Sequence, residues 1–204
     1  MREMKLFSRP FGAYQTNAYV LKFGDEEIII DPGDGAREWV LGVVKNPKAI
    51  LCTHGHFDHI FDVGVLKKEL NVPVWIHKDD TFMLENDVDF AGYECCSPDF
   101  AVDEGVFECG EFKFEFMHFP GHTPGCSMIA VDDMLFSGDF LFAGAIGRYD
   151  FKYSNPSDML KSLEKVSQIK REFKLYPGHG NSTTLQTELL NLPRYMRYLK
   201  SDML

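Results

Sequence analysis

The chain has 204 residues, of which 45% are hydrophobic and 25% are charged, and its formal net charge is −10. This length favours a single domain that spans residues 1–204. The composition excludes collagen-like, coiled-coil, disordered and membrane-spanning proteins. The negative charge disfavours nucleic acid as a partner, because the phosphate backbone repels it.

The first part of the chain predicts a β meander followed by alternating helices and strands. Three short β-like runs come first, at residues 4–7, 17–23 and 27–30. Two predicted helices then alternate with two predicted strands, in the order helix 36–44, strand 49–53, helix 62–70 and strand 72–77. Alternation of this kind indicates helices that pack on a sheet.

Residues 86–105 interrupt this pattern with six acidic residues, two adjacent cysteines and a proline. We predict a long loop here, of the sort that serves as a lid, a binding loop or an interface arm. The β-like pattern then returns and is followed by helix, strand and helix, at 107–109, 111–118, 127–131, 134–137, 157–170, 174–176 and from 184 onward. The two parts of the chain therefore share one order of elements.

The densest group of chemically active side chains follows the predicted strand 49–53, in the run His54-Gly55-His56-Phe57-Asp58-His59. Residues two apart in an extended segment project to the same side, so His54 and His56 can bind one metal ion. Asp58 and His59 come where the chain turns into a helix and can face a neighbouring point. Nitrogen and oxygen ligands of this mixture suit zinc, and also iron or manganese.

Three further side chains stand out by their surroundings. His122 lies in the proline and glycine turn 120–125, Asp139 interrupts the apolar run 134–142, and His179 lies between two glycines after a predicted strand. A buried carboxylate such as that of Asp139 is costly unless a cation compensates it. Each residue alone has an ordinary structural explanation. Together with the cluster they supply the seven ligands that two metal ions need.

This combination of HxHxDH with His122, Asp139 and His179 resembles the metallo-β-lactamase fold superfamily. The runs 138–144, 146–148 and 177–180 resemble its glyoxalase II (hydroxyacylglutathione hydrolase) group, in the short form without the C-terminal helical domain. The resemblance implies an α/β (α+β) fold, a four-layer αβ/βα sandwich with a dimetal site at one edge. The repeated order of elements agrees with that expectation.

The resemblance also implies two bound divalent ions, with zinc as the expected metal and iron or manganese as alternatives. The first ion would be held by His54, His56 and His122, and the second by Asp58, His59 and His179. Asp139 would bridge the two ions, and Asp58 and Asp139 are the residues expected to act in catalysis. Asp31 matches a position that supports a ligand by accepting an imidazole N–H, although a plain turn aspartate before Pro-Gly explains it as well.

The implied activity is hydrolysis of a small thioester such as S-lactoylglutathione. Water shared between two divalent ions has its pKa lowered towards about 7, and a thiol with a pKa of about 8.5 leaves without a dedicated acid. Longer members of the group hold glutathione partly with basic residues of their extra domain. Arg148 and Tyr149 are the candidates for substrate binding here.

Other functions stay open at this point. A persulfide dioxygenase of the same superfamily uses a single iron held by two histidines and an aspartate, but the full donor set favours two ions. A lactone hydrolase has the same metal ligands. A non-catalytic metal-binding module would be expected to have lost some of the seven ligands, and none is missing.

The cysteines bear on the compartment. Five are present and none forms a CxxC pair, so we expect reduced thiols. The first residues lack a continuous apolar core and a small-residue cleavage site, which argues against a secretory signal. We therefore expect a cytoplasmic protein with a small-molecule substrate and no membrane partner, and its oligomeric state stays open.

Overall fold

Two six-stranded sheets lie face to face in the computed structural model, which describes residues 4–202. The first sheet contains, in spatial order, β1 (Lys5–Phe11), β2 (Thr16–Phe23), β3 (Glu26–Ile30), β4 (Pro47–Leu51), β5 (Val74–His77) and β6 (Phe100–Val102). The strands β1, β2 and β3 form an antiparallel meander, and β4, β5 and β6 continue the sheet in parallel.

The later strands of the chain form the second sheet and a separate two-stranded hairpin. These strands are β7 (Gly105–Cys109), β8 (Phe112–His118), β9 (Ser127–Val131), β10 (Met134–Gly138), β11 (Leu141–Phe142), β12 (Ala145–Ile146), β13 (Lys174–Pro177) and β14 (Thr183–Thr184). Their order in the sheet is β14-β13-β10-β9-β8-β7, with only β10 and β13 parallel, and β11 and β12 form a separate hairpin.

Helices cover the outer faces of both sheets. They are α1 (Arg37–Val43), α2 (Phe57–Ile60), α3 (Val63–Leu70), α4 (Thr81–Glu85), α5 (Pro156–Val166), α6 (Leu185–Leu189) and α7 (Leu192–Asp202), with a 3₁₀ turn at Lys78–Asp80. The start of α5 follows from its sequence, because the Asn155 side chain accepts hydrogen bonds from two backbone N–H groups and Pro156 occupies the first turn. No helix within residues 4–202 has the length and apolarity needed to cross a membrane.

Three apolar layers hold the sandwich together. Along β3, Ile28 and Ile30 point into the space between the sheets, while Ile29 points to the helices. Each such fully buried side chain contributes about 1.5–3 kcal/mol. The central layer also takes side chains from the second sheet, among them Phe114 and Phe136. Because α1 and α3 cover one outer face and α5 and α7 the other, the predicted αβ/βα sandwich is confirmed.

The prediction of one continuous loop over residues 86–105 is wrong at its end. Phe100–Val102 adds a parallel edge strand to β5, and the Phe100 ring stacks on Trp75 with centroids 3.8 Å apart. Three residues are too few to show a periodicity, so the strand depends on its neighbour. The predicted helix 157–170 also ends early, at Val166. The role of the remaining loop stays a prediction.

Candidate metal centre

The predicted ligands lie at one edge of the sandwich because the strands that precede them end there. The parallel strands β3 and β4 lead to Asp31 and to the His54–His59 run, and the parallel strands β10 and β13 lead to Asp139 and His179. Carboxyl ends of parallel strands are the usual place for sites in such folds. An isolated bridge between Thr16 and His179 joins the two sheets at this edge.

The first donor group consists of His54, His56 and His122. One ligand atom from each lies within 4.8 Å of the others, and the ring centroids of His54 lie 5.0 Å from those of both partners. His56 Nδ1 lies 2.8 Å from His122 Nε2. Burial lowers the pKa of His54 strongly and that of His56 to about 3, so both imidazoles are neutral, which is the form that binds a metal.

The second donor group consists of Asp58, His59 and His179, again with one ligand atom each within 4.8 Å. Asp58 Oδ2 lies 3.6 Å from His59 Nε2 and 3.4 Å from His179 Nε2. Burial opposes protonation of His179, but hydrogen bonds to Asp139 and Asp58 raise its pKa to about 9. The carboxylates therefore dominate the electrostatics of this group.

Asp139 lies between the two groups and faces both. Its Oδ1 is 3.2 Å from His59 Nε2, and its Oδ2 is 3.4 Å from His122 Nε2 and 3.3 Å from His179 Nε2. This approach requires glycine where β13 ends, because a Cβ atom on Gly178 would lie 2.2 Å from Asp139 Oδ1. Burial would raise the pKa of Asp139, yet the surrounding histidines hold it well below its usual range.

Acceptors outside the cluster fix the orientation of the imidazoles. His59 Nδ1 donates to Asp31 Oδ2 at 2.9 Å. His122 Nδ1 donates to the Arg148 carbonyl at 2.7 Å. His179 Nδ1 donates to the Tyr14 carbonyl at 3.0 Å. A proton on Nδ1 leaves the Nε2 lone pair free in the neutral ring, and these Nε2 atoms point into the cluster. Asp31 thus accepts from the His59 imidazole, and its role in supporting a metal ligand stays a prediction.

The residues present fit divalent metal ions. His54 Nε2, His59 Nε2 and Asp139 Oδ1 are buried and make no hydrogen bond of acceptable geometry among residues 4–202, and His59 Nε2 and Asp139 Oδ1 lie 3.2 Å apart. An unpaired buried polar atom is costly, and three in one cluster call for a cation that would accept their lone pairs. A donor set of imidazole and carboxylate suits zinc, iron and manganese alike, so it defines a divalent-metal site without choosing the metal.

A cavity of about 730 Å³ opens above the cluster. Besides five of the ligands it is lined by Tyr14, Phe57, Asp89, Phe142, Ile146, Arg148, Phe151, Lys152 and Tyr153. The structure thus places Arg148 at the cavity. Tyr149 does not line it and packs half-buried against the apolar core beneath the second sheet.

Asp80 supports the site although no motif in the sequence points to it. This fully buried carboxylate accepts hydrogen bonds from Gly55 N at 2.9 Å, Thr123 Oγ1 at 2.6 Å and Gly125 N at 2.6 Å. Burial raises its pKa to about 6. Asp80 therefore ties the loop of His54 and His56 to the loop of His122. In the sequence it resembles an ordinary residue between a strand and a helix.

A further group of donors, His77, Asp79 and His118, lies apart from the cavity. The two imidazole rings stack with centroids 3.8 Å apart and 15° between their planes. Nitrogen lone pairs lie in the ring planes, so those of stacked rings do not converge on one ion. His118 Nε2 also donates to the Pro124 carbonyl at 2.8 Å. This group does not fit a metal site.

A four-layer αβ/βα sandwich with two such donor groups at one edge defines a metal-dependent enzyme of the metallo-β-lactamase class. The family model for the metallo-β-lactamase superfamily matches residues 11–179, and the chain belongs to this superfamily. This confirms the membership of the metallo-β-lactamase superfamily that the sequence motifs predicted.

Two relatives are similar over nearly their whole length. The probable metallo-hydrolase YqgX of Bacillus subtilis is 33% identical over 91% of this chain and 94% of its own. The hydroxyacylglutathione hydrolase GloC of Haemophilus influenzae is 31% identical over 90% of this chain and 94% of its own. The superfamily and these relatives indicate a metallo-hydrolase.

Two solved structures are similar at comparable identity. The BLEG-1 B3 metallo-β-lactamase has a TM-score of 0.83 and 32% identity, covering 94% of this chain and 99% of that one. The protein TTHA1623, crystallised in a di-iron-bound form, has a TM-score of 0.76 and 35% identity, covering 89% of this chain and 96% of that one.

Proposed function

We propose that this protein is a metal-dependent hydrolase of small thioesters, with S-lactoylglutathione as the first substrate to test. The observation that carries the proposal is the convergence of seven donor side chains on one point beneath a cavity, with Asp139 facing both groups. The similarity to GloC supports the thioester class.

Divalent ions held by His54, His56, His122, Asp58, His59, His179 and Asp139 would supply a water of lowered pKa and would polarise the thioester carbonyl. The chain itself does the positioning. Asp58 and Asp139 are the two carboxylates at the cavity floor, and we assign them the catalytic roles. Thr16 Oγ1 donates to Asp58 Oδ2 at 2.6 Å, which keeps that carboxylate ionised and fixed.

The leaving group decides between ester types. A thiol has a pKa of about 8.5 and departs as thiolate, so it needs no proton from the protein. The side chains at the cavity floor would serve as metal ligands, and in that role they are poor proton donors. Hydrolysis of a thioester is the reaction that such a floor supports best.

The test uses purified protein loaded in turn with zinc, iron or manganese. We expect hydrolysis of S-D-lactoylglutathione with at least one metal, and about a thousandfold less with Asp139→Asn. Absence of turnover with all three metals would refute the proposal. One iron per chain together with oxygen uptake on glutathione persulfide would replace it by a persulfide dioxygenase.

A second candidate function is β-lactam hydrolysis, which the similarity to BLEG-1 favours. Opening a lactam releases an amine that must take up a proton, which is harder on this cavity floor. We expect kcat/KM for benzylpenicillin to stay at least about a hundredfold below that for the best thioester, a difference of about 2.7 kcal/mol in the barrier. The reverse order would make the lactamase function the better one.

Zinc is the metal we propose for the protein in the cell, and the cytoplasm is the compartment. Cys52 and Cys126 are buried and unpaired, and Cys95, Cys96 and Cys109 are also free thiols. Free thiols suit a reducing compartment. Metal analysis of protein purified without added metal tests the first point.

A further inference from the structure

The walls of the cavity differ in character from its floor. Phe151 packs edge-on against His56 and His122, with ring centroids 5.6 and 5.8 Å apart, and it is 41% exposed. On the other side Phe142 lies 6.0 Å from His179. Apolar surface that stays in contact with water inside a concave site is typical of a ligand-binding wall.

Arg148 lies over the Phe151 ring. The Arg148 guanidinium lies 4.3 Å from the centre of the Phe151 ring, and it donates to both carboxylate oxygens of Asp150, at 2.9 and 2.8 Å. A planar guanidinium held by two hydrogen bonds is a rigid support for an aromatic ring. Phe151 therefore presents a preformed apolar face beside the first donor group.

The charges around the opening largely cancel. Arg148 is paired with Asp150. Lys152 lies over the Tyr153 ring at 4.7 Å and interacts electrostatically with Asp89, which also lines the cavity. Arg148 and Lys152 are thus each offset by a carboxylate, so an anionic acyl group gains little from them, while an apolar group gains the burial of the aromatic walls.

We propose that this site selects thioesters with an apolar acyl group, aromatic or alkyl, and that Phe151 is the specificity-determining residue that the acyl group contacts. The inference rests on the thioesterase function proposed above and names the substrate class. With this selectivity, S-lactoylglutathione is hydrolysed but is a poorer substrate than thioesters with an apolar acyl group.

The test compares acetyl, butanoyl, phenylacetyl and D-lactoyl thioesters of one uncharged thiol, N-acetylcysteamine. Each kcat/KM is divided by the rate constant for hydroxide-catalysed hydrolysis of the same compound, which removes differences in intrinsic reactivity. We expect the normalised value for phenylacetyl to exceed that for acetyl and for D-lactoyl by about tenfold or more, since burying a ring removes apolar area from water.

The variant Phe151→Ala examines the residue directly. We expect it to lower the phenylacetyl-to-acetyl ratio by about tenfold, with two ions still bound. The matched control is Tyr198→Ala, which removes an exposed aromatic ring on α7 away from the cavity, and which should leave the ratio unchanged.

Three results would overturn the inference. Equal normalised values across the series would show that the walls do not select. A Phe151→Ala variant that loses all substrates equally while keeping its metal would show a positioning role only, and loss of the preference in Phe142→Ala instead would assign selection to the other wall. In each case thioester hydrolysis itself stands. If no thioester is hydrolysed, the proposed function fails and the inference fails with it.

Discussion

The two donor groups of the site are built differently. The first is made of three imidazoles, and its members are almost completely buried apart from His56. The second contains a carboxylate, and its His179 side chain is 28% exposed. The first group is joined by one buried residue, Asp80, whereas the second depends on contact between the two sheets through Thr16 and His179.

This difference predicts two unlike metal positions at one edge of the sandwich. Three neutral imidazoles do not offset the charge of a bound divalent ion, so at the first position Asp139 is the donor carboxylate that offsets it. The second position has the Asp58 carboxylate in addition and more contact with water, since the Asp58 and His179 side chains are 15% and 28% exposed. We therefore expect the second group to release its ion first when a chelator is titrated against the loaded protein. If the three-histidine group released its ion first, the second group would not be the weaker metal position.

The largest effect should come from Asp139, because it is the residue that both groups share. Asp139→Ala is expected to lower kcat/KM by about a thousandfold or more and to weaken binding at both positions. Elemental analysis after gel filtration measures the second effect. The control is Asp133→Ala, which removes an exposed carboxylate paired with Lys174 at the surface. Two ions retained in Asp139→Ala would contradict its central role.

Removing one ligand from each group separates the groups. His122→Ala and His179→Ala should each bind one ion instead of two, and each should lose about a hundredfold or more in kcat/KM. The remaining ion should lie at Asp58 and His59 in the first variant and at His54 and His56 in the second, which anomalous diffraction distinguishes. Loss of the same ion in both variants would show a single site.

The next effect belongs to Asp80, which touches only the loops of the first group. In Asp80→Asn the amide NH₂ would face an N–H or O–H donor, so we expect metal affinity at the three-histidine position to fall about ten- to a hundredfold. Affinity at the second position should change little. Asp62→Asn is the matched control, since Asp62 is also buried but accepts a hydrogen bond from Arg37 N at α1. Equal losses at both positions would show a general effect on stability.

The smallest effect is expected for Thr16→Val. The change keeps the shape and removes one hydrogen bond to Asp58, so affinity at the second position should fall about tenfold. The three-histidine position serves as the internal reference in the same titration. A change there of the same size would contradict the assignment of Thr16 to the second group.

The sequence allowed the ligands to be predicted because histidines are few and their spacing is specific. Three of seven lie within six positions, and Asp139 is conspicuous as a charge in an apolar run. Asp80 was not predicted, because its role appears only when two loops distant in the chain meet above it. Tyr149 was not separable from Arg148, since the direction of a side chain in an irregular segment follows from packing. The strand Phe100–Val102 was missed for the same reason, because the edge of β5 determines it.

The proposed two-ion centre is tested most directly by the positions of the metal ions in a crystal of the loaded protein, measured by anomalous scattering. We expect two peaks about 3.5–4 Å apart on either side of the Asp139 carboxylate, one at the three imidazoles and one at Asp58, His59 and His179. A single peak at full loading, or two peaks with Asp139 turned away from both, would contradict it.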